Sequence, residues 1–139
     1  MRRVPAEALD HLKPEQTVCL ATTDGEKPYV RPIFLLVLDG SQFMATGMSC
    51  AKMAQLELNH NIEWCLVITG ESNNGYLRGL GTAALVTDEI IRANVHERFG
   101  FIKEYFAQPD DPEFMLLQFH IDEYEFMRPG DDAGTRYKA

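Results

Sequence analysis

Residues 17–46 read TVCLATTDGEKPYVRPIFLLVLDGSQFMAT. Two short polar breaks divide this stretch into three segments. Thr17 to Thr22 alternates, with Val18 and Leu20 on one face, and predicts a strand. Asp24-Gly25 is a turn signal. Tyr29 to Leu38 predicts a second strand, nearly all apolar after Pro32. Proline cannot donate to a ladder, so Pro32 belongs on a sheet edge or at a bulge. Asp39-Gly40 is a hairpin signal, and Ser41 to Thr46 is the returning strand. Strands joined by turns this short run antiparallel.

Upstream, Pro5 to Lys13 predicts a short helix with Leu9 and Leu12 on one side, ended by Pro14. Downstream, Gly47 to Ser49 leads into a helix reaching about His60. Ile62 to Thr69 predicts a buried strand, and Gly70 to Gly75 a loop. Tyr76 to Thr87 predicts a long strand of small residues. Asp88 caps the next helix, whose stripe is Ile91, Val95, Phe99, Ile102 and Phe106. Gly100 costs that helix about 1 kcal/mol relative to Ala and marks a break. Phe114 to Met127 is the last strand. Its apolar parity changes between Ile121 and Tyr124, which predicts a bulge near Asp122-Glu123. The polar tail from about Gly130 is expected to be mobile. Without βαβ alternation or internal repeats, the expectation is one α+β, mainly β domain over 1–139. It is a six-stranded antiparallel barrel with flanking helices.

A chain of 139 residues that is 45% hydrophobic can build one core without staples. A net charge of −8 repels phosphate backbones, which argues against nucleic acid as a partner. No apolar run approaches the length of about 18 residues that spans a membrane. Cys19 and Cys65 sit in apolar runs and read as small core residues. The unpaired cysteine count and the absence of an apolar stretch after Met1-Arg2-Arg3-Val4-Pro5 give a cytoplasmic expectation.

The chemistry is suggested by charge. Between Pro32 and Ile91 the only cations are Lys52 and Arg78. Lys52 falls in the first turn of its helix, where a cation opposes the macrodipole at a cost of about 0.3–1 kcal/mol. An anion at that helix start removes the conflict. Free N–H groups, Ser49, Lys52 and Thr46 together make a phosphate site. The plainer alternative is that Ser49 caps the helix and Lys52 is solvated. Arg78 could pair with a carboxylate such as Glu71. Cys50, beside the proposed anion, is either a reactive or an inert thiol. Free backbone groups along Tyr29 to Phe34 could bond a flat heterocycle. Gly79-Leu80-Gly81-Thr82-Ala83-Ala84 matches G-x-G-x-x-A but lies inside a strand, so it is not read as a dinucleotide site. The four histidines have no metal spacing, and no nucleophile constellation is present.

Taken in order, TVCLATTDGEKPYVRPIFLLV, FMATGMSCAKMAQL, NIEWCLVI, YLRGLGTAALV and FHIDEYEF resemble the FMN-binding split barrels related to pyridoxamine 5′-phosphate oxidase. The closer likeness is to short Nim-type members. The resemblance implies a split barrel and FMN held at the interface of a homodimer. It implies that Arg31, Pro32, Ile33 and Phe34 contact the isoalloxazine and ribityl chain. Thr46, Ser49 and Lys52 hold the phosphate, and Arg78 reaches the flavin site. The longer oxidases carry a C-terminal aromatic and arginine segment. Here Arg128-Pro129-Gly130-Asp131-Asp132 stands instead, so the resemblance does not extend to pyridoxamine phosphate oxidation. The implied activity is a flavin-dependent oxidoreductase with a nicotinamide donor and a small acceptor. The alternatives are a flavin- or anion-binding module without turnover and an interaction protein with an empty site.

Overall fold

The computed structural model describes residues 1–139. The strands are β1 (Glu15–Thr23), β2 (Pro28–Leu38), β3 (Ser41–Gly47), β4 (Asn61–Ile68), β5 (Gly75–Leu85), β6 (Phe114–Met127) and β7 (Thr135–Lys138). The helices are α1 (Ala6–Leu9), α2 (Ala51–Leu58), α3 (Glu89–Arg98) and α4 (Gly100–Tyr105). The sheet runs β3-β2-β1-β4-β5-β6, and β3 pairs with β6 to close a six-stranded antiparallel barrel. The fold expected from the sequence is therefore present. No helix is long and apolar enough to cross a membrane.

The punctuation of the sequence sets this topology. Asp39 (φ 51°) and Gly40 (φ 79°) adopt the left-handed pair that a two-residue hairpin requires. Asp24 Oδ1 accepts from the Glu26 and Lys27 N–H groups, shaping the β1–β2 turn. Pro32 lies on an open edge, as its missing donor requires. β2 pairs with β1 from Pro28 to Leu36 but with β3 only from Leu36 to Leu38, so its first eight residues have a strand on one side alone. This is where the barrel splits.

Two apolar clusters hold the fold. Leu20, Leu35, Met44, Trp64, Leu77 and Phe126 fill the barrel. Val95, Phe99 and Ile102 of the helical stripe seal its outside against Leu36, Phe43, Phe114 and Leu116. Asp88 caps α3 through the Ile90 and Ile91 N–H groups. The helix breaks at Phe99, just before Gly100. Gly79 faces Trp64 so closely that a Cβ there would meet the indole at 2.5 Å. The glycines of the G-x-G-x-x-A string are barrel-strand glycines. The expected bulge is also present: Leu80 pairs with Glu123 and Gly81 with Ile121, leaving Asp122 as the extra residue.

Two expectations need correction. The tail is not loose: β7 pairs with β6 from Glu123 to Phe126, beyond the part of β6 that β3 uses. Arg136 bonds Glu123 and Glu125, and Tyr137 packs on the core. Cys19 and Cys65 are not core residues. They alternate with buried Val18, Leu20 and Trp64 and so point out of the barrel. His96 is buried, with Nε2 bonded to the Phe106 carbonyl at 2.7 Å.

Candidate functional site

The end of β3, the start of α2 and the open half of β2 meet at one end of the barrel. Arg31 and Ile33 alternate inward there, while Pro32 and Phe34 face out. Ile33 is core. Phe34 is 48% exposed, with its ring edge-on to Phe101 at 5.2 Å. These four residues therefore do not make one side-chain surface, and what they share is the open backbone edge.

Arg31 Nη1 donates to Thr22 Oγ1 at 2.6 Å, and Nη2 to Gln55 Oε1 at 2.5 Å. The Thr22 hydroxyl donates to the same Gln55 oxygen at 2.6 Å. Burial lowers the Arg31 pKa, and the nearby Cys50 charge works the other way. Lys52 Nζ lies 3.0 Å from Cys50 Sγ. That contact brings the Cys50 thiol down to about 7, against the opposing effect of burial and with lesser help from Thr46. Thr46 is 7% exposed at the end of β3. Arg31, Thr46, Cys50 and Lys52 thus form one neighbourhood, as the sequence implied for Thr46 and Lys52.

Neither Arg31 nor Lys52 has a carboxylate within salt-bridge reach, whereas Arg78, Lys103, Arg128 and Arg136 all do. Arg31 is half-buried with only neutral hydrogen-bond partners, so its charge is uncompensated within the chain. The start of α2 is uncompensated as well. Its N-cap is Cys50, and no side chain caps it, so the reading of Ser49 as a cap does not hold. Ser49 lies exposed in the preceding turn, free to swing toward an anion.

Arg78 stands apart. It projects from the outer face of β5, opposite Cys65 and Glu125 in register. Its guanidinium bonds Glu63 at 2.5 Å and Glu125 at 2.8 Å, so Glu71 is not its partner. Those carboxylates hold its pKa above the usual arginine value despite burial. Thr22 and Gln55 were missed by sequence reasoning. Gln55 follows Lys52 by three residues on α2, a spacing that marks a shared helix face. Thr22 carried no comparable signal.

Comparison with known proteins covers the whole of this arrangement. The family model for pyridoxamine 5′-phosphate oxidase matches residues 4–128. Among solved structures, a NimC/NimA family protein from Clostridium acetobutylicum superposes with a TM-score of 0.74 at 19% identity, covering 96% of this chain and 91% of that one. General Stress Protein 26 from Bacillus anthracis gives 0.69 at 18% identity, covering 96% and 97%. A heme binding protein from Mycobacterium smegmatis gives 0.76 at 14% identity, covering 99% of this chain and 59% of that one. A search of curated proteins found no match. The structural likenesses establish the fold. The family match runs from the first helix through the last barrel strand, so the chain belongs to the pyridoxamine 5′-phosphate oxidase family.

Proposed function

We propose that this chain binds FMN. The observation that carries the reading is the pair of cations without carboxylate partners, Arg31 and Lys52, at an uncapped helix start. Arg31, Thr46, Ser49 and Lys52 would hold the phosphate by charge-assisted bonds and free N–H groups. The open edge of β2 from Arg31 to Phe34 would offer backbone donors and acceptors to the polar rim of the ring. Bound FMN supplies hydride and electron transfer, and the protein supplies position and electrostatics. The activity we infer is reduction or oxidation of a small molecule, with a nicotinamide as electron donor.

We further propose that a second copy completes each site. Val30 is 72% exposed and Phe34 48% exposed on the outward side of β2, flanking Pro32, where a partner would cover them. Three unbridged cysteines support a reducing, cytoplasmic location.

Titration of the protein with FMN, followed by flavin fluorescence and by light scattering, tests both statements. The expected result is saturable quenching by a dimer and bleaching of the flavin absorbance on addition of NADH or NADPH. Failure to bind FMN, or uptake of haem in its place, would overturn the reading. Bound FMN that neither nicotinamide reduces would leave a binding module without turnover.

A further inference from the structure

Gln42 and Tyr124 are each 6% exposed, and Trp64 beside them is fully buried. Their hydrogen bonds run in one direction. Trp64 Nε1 donates to Gln42 Oε1 at 3.0 Å, and Gln42 Nε2 donates to the Tyr124 hydroxyl oxygen at 2.8 Å. An indole nitrogen can only donate, so it fixes which end of the Gln42 amide faces it. The Tyr124 oxygen is therefore an acceptor from Gln42, and its own proton needs a further acceptor. The chain supplies none, for the bond from Gln42 is the one bond this hydroxyl makes. Gln42 Nε2 likewise has a second N–H without a partner. Burial pushes the Tyr124 pKa up, against the effect of the Gln42 bond, and so keeps the proton on the oxygen. A buried donor left unpaired is destabilising, which makes an acceptor at this point favourable.

Both donors line a cleft of about 260 Å³ where β6 changes partner. β3 holds β6 from Phe114 to Phe119, and β7 holds it from Glu123 to Phe126. Between them, His120 and Ile121 have only β5 beside them, so the barrel wall opens into a slot. Ser41, Gln118 and His120 complete its polar lining, which contains no lysine, arginine or carboxylate. The slot opens at the start of β3, whereas the Arg31–Lys52 cleft lies at its end, so the two are separate.

We propose that this slot binds a neutral acceptor oxygen, seated on the Tyr124 O–H and the second Gln42 N–H. Two sources share that chemistry: the carbonyl of a small amide and an ordered water. Ser41 and Gln118 offer acceptors to the N–H groups of an amide. A carboxylate finds no cation in the lining, and the net charge of −8 opposes it. None of this depends on the flavin reading.

The experiment is an NMR titration of the full chain, reading the Gln42 side-chain amide and the Tyr124 ring, with acetamide and then acetate as probes. The expected result is a saturable shift with acetamide and a weaker response to acetate. Tyr124→Phe keeps the ring and loses the donor, so it should bind acetamide about fivefold or more weaker. Its urea midpoint confirms that it is folded, and the wild-type readings stand without it. A long-lived water cross-peak to Tyr124 that acetamide does not displace would assign the oxygen to water. The proposal is overturned by a wild-type protein that shows neither signal. It is also overturned by acetate binding more tightly than acetamide, or by a folded Tyr124→Phe protein that responds to acetamide like wild type.

Discussion

Lys52 Nζ lies 3.0 Å from Cys50 Sγ, so the ammonium that opens α2 rests on a thiol rather than on a carboxylate. The contact lowers the Cys50 pKa to about 7. A thiolate is the alkylating form, so Cys50 should react with iodoacetamide at a rate that rises with pH through a midpoint near 7. Lys52→Ala should move that midpoint up toward the ordinary thiol range. Rates measured in a Cys19→Ser, Cys65→Ser background check this. An unmoved midpoint would remove Lys52 as the cause.

A phosphate at Lys52 would share the ammonium with Cys50 and place negative charge beside the thiol, which disfavours the thiolate. Saturating FMN should therefore draw the ammonium away and raise the pH midpoint of Cys50 alkylation, as well as slowing it by shielding. Inorganic phosphate should do the same more weakly. A rate profile indifferent to FMN would separate the thiol from the flavin site.

Removing either unpaired cation should weaken FMN. A hydrogen bond to a charged group contributes about 1.5–3 kcal/mol, so Arg31→Ala and Lys52→Ala should each cost about tenfold or more in affinity. Fluorescence titration reads this directly. Arg31→Ala also frees Gln55, so a companion Gln55→Ala, expected to change affinity far less, separates the charge from the support.

Arg78→Met should behave oppositely. It strands Glu63 and leaves Glu125 to Tyr76 and Arg136, which should lower stability by about 1 kcal/mol for a half-exposed pair, while FMN affinity stays within about twofold. Urea unfolding and the same titration check both halves. A large loss of FMN would return Arg78 to the site.

Gly79→Ala should destabilise by about 1–3 kcal/mol, because the added methyl must displace the Trp64 ring. The urea midpoint should fall with an unchanged slope. A neutral result would show that the indole yields.

Local chemistry was legible where one residue decides the geometry. Pro32 lacks a donor and sits on an open edge, and Asp39-Gly40 takes the left-handed angles that its turn needs. The charge conflict at Lys52 pointed to the start of α2, where the structure finds no side-chain cap. What depended on distant partners was not legible. Arg136 meets Glu123 and Glu125 across a sheet edge, and nothing near the tail announces those partners. Apolar runs around Cys19 and Cys65 show that a strand is buried, but not which of its faces holds a thiol. Arg31 was assigned by resemblance to the flavin strand. Its actual partners, Thr22 and Gln55, come from a neighbouring strand and a helix that only folding brings together.

The bulge at Asp122 also makes β6 unequally tolerant of changes in length. Inward residues are Leu117 and Phe119 before the bulge, and Tyr124 and Phe126 after it. Removing Asp122 leaves every flanking pair with β5 in place, since Ile121 and Glu123 already oppose neighbouring residues. Removing Gln118 instead would turn one half of the strand inside out. A one-codon deletion at 122 is thus the indel this strand can absorb, and its interior neighbours are not.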